Sequence, residues 1–200
     1  MSGHNFKKVA SPAAETFSRD IELSAEAKSL LSPQLSPADF LEGLLAAGHY
    51  GDAVNFMARA LPKREATWWA CLCARSALGE NPPAPYVQAL AAAEQWVYTP
   101  SEENRRLAMA AAEATPFDHP AAWAAVAAFW SGGSLAPENV PAVPPADNLN
   151  AKAVIGAVRL AVVIREPEKA AEKYRLFLEQ AIDIANGGDG RKVAPTAPGA

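Results

Sequence analysis

Apolar residues along this chain recur three and four positions apart, the spacing of one face of an α-helix. The segment 170–185 shows it most clearly, with Ala170, Tyr174, Phe177, Leu178, Ala181 and Ala185 on a single stripe. Strict alternation of apolar and polar residues over five or more positions is absent, so no strand is predicted. Helices are expected over 23–31, 37–48, 51–61, 62–79, 84–98, 101–114, 120–130, 150–164 and 167–185, mostly set off by proline, glycine or a capping serine. Ser36, Pro37 and Asp39 spell out one start, with a capping hydroxyl, a first-position proline and an acid at the positive end of the helix dipole. Gly48 and Gly79 mark stops.

These elements predict an all-α fold, an irregular multi-helix bundle with repeat-like antiparallel helix pairs. HYGDAVNFMARALP and WWACLCARSALG look like paired helices of a repeat array, but no fixed period of about 34 or 40 residues joins them. Residues 1–20 lack sustained periodicity and read as a flexible or loosely docked tail; 187–200 read as a disordered one. One helical domain is expected over 21–186. The stretch GGSLAPENVPAVPP, rich in proline, excludes a helix and places the best candidate for an internal boundary within 132–147.

Composition sharpens this picture. Half of the 200 residues are hydrophobic, and many of these are alanines, which let helices approach closely while adding little side-chain volume. The net charge of −4 comes from 18 basic and 22 acidic residues interleaved along the chain, which argues against a nucleic-acid partner. No apolar run has the length of a signal peptide or of the roughly 18 to 20 residues that span a membrane, so a cytoplasmic protein without membrane attachment is expected. The longest apolar run, AVIGAVRLAVVI at 153–164, is broken by Arg159 and reads as a buried helix.

Candidate chemistry concentrates in LPKREATWWACLCAR at 61–75. On a helix Cys71 and Cys73 project about 200° apart, so they cannot grip one ion. The three histidines, His4, His49 and His119, sit in separate segments without ligand spacing. No metal and no cofactor is expected, and both cysteines read as small core residues. Arg64, Trp68 and Arg75 share a stripe with Cys71, either a core rim with snorkelling arginines or an interface for a partner protein, since Arg and Trp dominate interface energetics. Glu102, Glu103, Arg105 and Arg106 read as a solvated first turn with intrahelical ion pairs.

A second reading gathers His49, Tyr50, His119 and Arg159 around a cleft, as a small enzyme or ligand-binding domain would. Arg159 must find a partner or reach solvent, because an unpaired buried charge is costly. Nucleotide-binding glycine loops and catalytic signatures such as G-x-S-x-G and H-E-x-x-H are absent, so a non-enzyme is expected.

LPKREATWWACLCAR, SEENRRLAMAAAEATPFDHPAAWAAVAAFWSGGSLAP and YRLFLEQAIDIANGG together resemble a proteobacterial all-helical family of unknown function, often encoded near type VI secretion genes. The resemblance covers about residues 35–188 and brings no site residues with it. It implies a non-catalytic accessory or adaptor protein that binds a secretion effector or a spike component. An immunity protein against a toxin would share that binding mode and differ in its partner.

Overall fold

The structure is a computed structural model and describes residues 6–137 and 139–191. His4, residues 1–5 and residues 192–200, the outer ends of the two expected tails, lie outside the described residues. The α-helices in chain order are α1 Glu15–Ser18, α2 Ala25–Ser29, α3 Pro37–Ala46, α4 Tyr50–Ala60, α5 Lys63–Ala77, α6 Ala84–Tyr98, α7 Glu102–Glu113, α8 Pro120–Phe129, α9 Leu149–Val163 and α10 Ala170–Ala185. A 3-10 turn, Pro167–Lys169, leads into α10, and no strand occurs among the described residues.

Local chemistry sets most of the boundaries. Ser24, Ser36 and Ser101 each accept a hydrogen bond from the free backbone N–H three residues on, satisfying a donor that the helix leaves unpaired. Proline occupies the capping position of α5 and α6 and the first position of α3 and α8, where its missing N–H is not needed. Gly48 ends α3 at a φ of 74°. There the N–H groups of Gly48 and His49 return to the Leu45 and Leu44 carbonyls, a Schellman closure.

Helices α5, α8 and α9 pack on one another at the centre. Helix α8, PAAWAAVAAF, buries every residue but Trp123, as a helix apolar on all sides must. Its alanines let α5, α6, α7 and α9 all close on it. Helices α4 and α10 flank α5 and α9, and α3 lies on α4. Trp69, Phe40, Phe56 and Phe177 supply the volume that alanine does not, and each is 2% exposed or less.

Two expectations change. Residues 6–20 are not a loose tail: Phe6, Val9, Ala14 and Phe17 are buried, and Phe17 meets the Phe56 ring edge-on at 6.3 Å. Main-chain bonds from Lys8 to Ala185 and from Ala14 to Leu35, both 2.9 Å, hold the segment down. Its apolar residues follow no helical period because they anchor a mostly irregular strap. The loop 132–147 does not divide the core either, since α8 and α9 on its opposite sides pack together within one apolar cluster.

Candidate functional site

Helix α5 turns its two adjacent tryptophans to different regions of the molecule. The Trp69 indole N–H donates to the Phe177 carbonyl of α10 at 2.7 Å, inside the core. The Trp68 N–H donates instead to the Asp189 carbonyl at 2.8 Å, in the segment that follows α10. Cys71 and Cys73 are fully buried and free. Burial pushes both thiols well above their usual range, with the Glu94 charge adding for Cys71. Both therefore stay protonated and inert at neutral pH. Among the described residues no group of three or more His, Cys, Asp and Glu is placed to hold a metal ion.

Trp68 floors a groove of about 370 Å³ between α5, the end of α6, the N-terminal strap and the segment 188–191. The Tyr98 ring lies 5.7 Å from the indole. The Arg191 guanidinium sits 4.7 Å over it and donates to the Tyr98 hydroxyl at 2.6 Å. Arg64 donates from Nε to the Val97 carbonyl at 2.6 Å, and Lys8 pairs with Glu65 at 3.3 Å. Three cations, Lys8, Arg64 and Arg191, thus face two anions, Glu65 and Asp189.

The segment carrying Asp189 and Arg191 is held by the glycines before and between them. Gly187 takes a φ of 100° and Gly190 a φ of 71°. The Gly188 N–H returns to the Asp183 carbonyl, and the Gly190 N–H donates to the Asp183 carboxylate at 2.8 Å. A Cβ on Gly190 would stand 2.7 Å from Leu72 Cδ1, too close to be accommodated without displacement. The described stretch of the expected C-terminal tail, 187–191, is therefore a folded turn.

The stripe Arg64, Trp68, Arg75 divides between two places. Arg64 and Trp68 line the groove, whereas Arg75 lies about 10 Å beyond Trp68 along the helix axis and makes a two-pronged ion pair with Glu94 of α6, with contacts of 2.5 Å to each carboxylate oxygen. The guanidinium over the Trp68 indole belongs to Arg191, not to either arginine of the stripe.

The structure does not bring His49, Tyr50, His119 and Arg159 to one cavity. Tyr50 stacks on Tyr174 at 6.0 Å, and its hydroxyl accepts from Arg175 at 2.9 Å. His49 precedes α4 without a capping bond. Arg159 is exposed on α9 and reaches the Gly51 carbonyl at 3.3 Å, so solvent takes the charge that the apolar run cannot. His119 is committed elsewhere: Nδ1 accepts the Ala121 N–H at 3.1 Å to cap α8, and the ring stacks on Tyr86 at 4.4 Å.

Burial lowers the pKa of His119, while a hydrogen bond to the Ala77 backbone and the Asp118 charge pull the other way. A histidine held below its unfolded value of about 6.5 binds its proton more readily in the unfolded chain, so stability is complete above that pH and falls as pH drops through it. The melting temperature should therefore decline between about pH 7 and pH 5.5. His119→Asn keeps a capping acceptor and should flatten that region of the profile; an unchanged slope would remove His119 as its source.

Arg191, Tyr98 and Lys8 of the groove are not among the residues singled out from sequence. NGGDG is the one signal for Arg191, because glycines flanking an aspartate suit a positive-φ turn as well as they suit disorder. Arg105, expected on a solvated face, is 3% exposed.

No curated protein and no solved structure matches the chain. A family model matches residues 40–185, from within α3 to the end of α10. The match takes in Arg64, Trp68 and Tyr98 and leaves Lys8 and Arg191 outside. The chain belongs to the family of unknown function DUF6931.

Proposed function

We propose that this protein is a non-catalytic accessory protein that holds an acidic stretch of a partner polypeptide in the groove over Trp68. The observation that carries this reading is the indole floor bordered by Tyr98, Arg64 and Arg191. Tryptophan, tyrosine and arginine are the side chains that contribute most at protein interfaces, where they combine large apolar area with directed donors. An excess of cations in the groove, on a chain of net charge −4, favours a partner bearing aspartate or glutamate. The lining contains no serine, cysteine or histidine to act as a nucleophile or a neutral base. The sequence resemblance suggests a type VI secretion effector or spike-associated protein as the partner, met in the cytoplasm. No described helix is long and apolar enough to cross a membrane.

Affinity capture with the wild-type chain and with a double variant, Arg64→Glu and Arg191→Glu, tests this. Both side chains are exposed and each gives up one tertiary hydrogen bond, so the variant should stay folded with a melting temperature lowered by about 4–8 °C. A protein retained by the wild type should be lost by at least about tenfold on charge reversal, and a synthetic peptide of its acidic segment should compete. Equal recovery on both baits would remove the groove as the binding surface.

A further inference from the structure

A second cavity, of about 530 Å³, opens between residues 19–22, Asn55 of α4 and the outer face of α9. It shares no lining residue with the Trp68 groove. Asn55 is only 6% exposed, and its Nδ2 donates to the Glu22 carbonyl at 2.7 Å. That bond fixes the orientation of the amide, since turning it over would set two oxygens against each other. Oδ1 is left as a buried acceptor with no partner. Native proteins seldom leave such an atom unpaired, and its residue lines the cavity, which makes it the place for a donor arriving from outside the chain.

Across the cavity, Lys152 and Arg159 stand two turns apart on α9, about 10 Å along the axis. The Lys152 side chain has no ion pair or hydrogen bond among the described residues, and Arg159 spends one guanidinium nitrogen on the Gly51 carbonyl. The other cation, Arg19, is occupied by Glu15, and Asp20 by Arg59. The Glu22 carboxylate, also in the lining, has no partner among the described residues. One wall therefore offers unspent positive charge and the other an orphan acceptor beside a carboxylate.

We infer that this cavity binds a small zwitterion of amino-acid or dipeptide size, with its carboxylate on Lys152 and Arg159 and its amine on Asn55 Oδ1 and Glu22. Its volume lies in the range of small-molecule sites, and the charge-assisted hydrogen bonds at both ends set the orientation of the ligand. No bond is made or broken.

Titration of the isotope-labelled full chain, followed by amide NMR, tests the assignment with four probes: L-glutamate, L-arginine, L-leucine and L-alanyl-L-alanine. At least one probe should give saturable shifts centred on the Asn55 side-chain amide. Converting its carboxylate to the amide, or acetylating its amine, should each weaken binding by about tenfold. Lys152→Met and Arg159→Met, both at exposed positions, should weaken the free acid to a similar extent without changing the melting temperature. The inference is overturned if none of the four probes saturates, or if affinity is indifferent to the blocked ends and to both substitutions.

Discussion

Replacing Trp69 by alanine is expected to lower the melting temperature by about 6–20 °C. The indole is fully enclosed at the junction of α5 and α10, with its N–H on the Phe177 carbonyl. Truncating a buried tryptophan removes its transfer free energy and leaves a cavity, together about 3–5 kcal/mol. For a chain of this size each kcal/mol moves the midpoint by about 2–4 °C. Trp69→Phe retains most of the ring and forfeits the hydrogen bond, so its loss should be smaller. Thermal denaturation followed by circular dichroism reads both variants; a fall below about 1 kcal/mol for Trp69→Ala would mean that α10 does not pack on α5 as described.

The second large effect is expected at Arg105. Its guanidinium donates to both Glu102 carboxylate oxygens at 2.7 Å, to the Phe129 carbonyl at 2.6 Å and to the Ser134 carbonyl at 2.7 Å, and lies 4.4 Å over the Phe129 ring. One side chain thus caps the C-terminal end of α8 and ties the following loop to α7. Arg105→Met keeps the apolar stem but strands two carbonyls and leaves Glu102 with Arg106 alone, which costs about 2–4 kcal/mol. The melting temperature should drop by about 4–16 °C, and hydrogen exchange should accelerate in 130–136 before the rest of the fold. Uniform acceleration across all helices would instead indicate a general loss of packing.

This ion pair also fixes a direction of pH dependence. Hydrogen bonding to Arg105 holds the Glu102 carboxyl below its ordinary value, with the charges of Arg105 and Arg106 acting the same way. A carboxylate depressed in the folded state stabilises fully above its unfolded pKa of about 4.3 and loses that contribution as pH falls through the folded value. Glu102 is half exposed, so the effect is modest. The gap between wild type and Arg105→Met should nonetheless narrow on acidification below about pH 4.

Helix positions were readable where their signals are local. Ser36 accepts the Asp39 N–H and Gly48 takes a positive φ because capping and left-handed backbone depend on residues within one turn. The divergence of Cys71 and Cys73 was legible for the same reason, as helical geometry alone separates them. The strap at 6–20 was not, because Phe6, Val9 and Phe17 contact residues far along the chain and follow no period of their own. The groove was half legible: Arg64 and Trp68 share a helical face, whereas Arg191 reaches the indole only after a turn whose glycines look the same in a disordered tail.

What this sequence determined by itself is its list of helices, their caps and the faces they bury, since each follows from spacing and hydrogen bonding over a few residues. Which polar groups meet was decided by the tertiary structure. Arg105 sits on the same helix turn as Arg106, and only the approach of the loop carbonyls at 134 turned it from a surface charge into a buried clasp. Asn55 became an unpaired acceptor, and Arg159 a solvent-facing cation, when α4, α9 and the strap closed around a common space. Long-range desolvation and pairing depend on the folded arrangement, which no local period encodes.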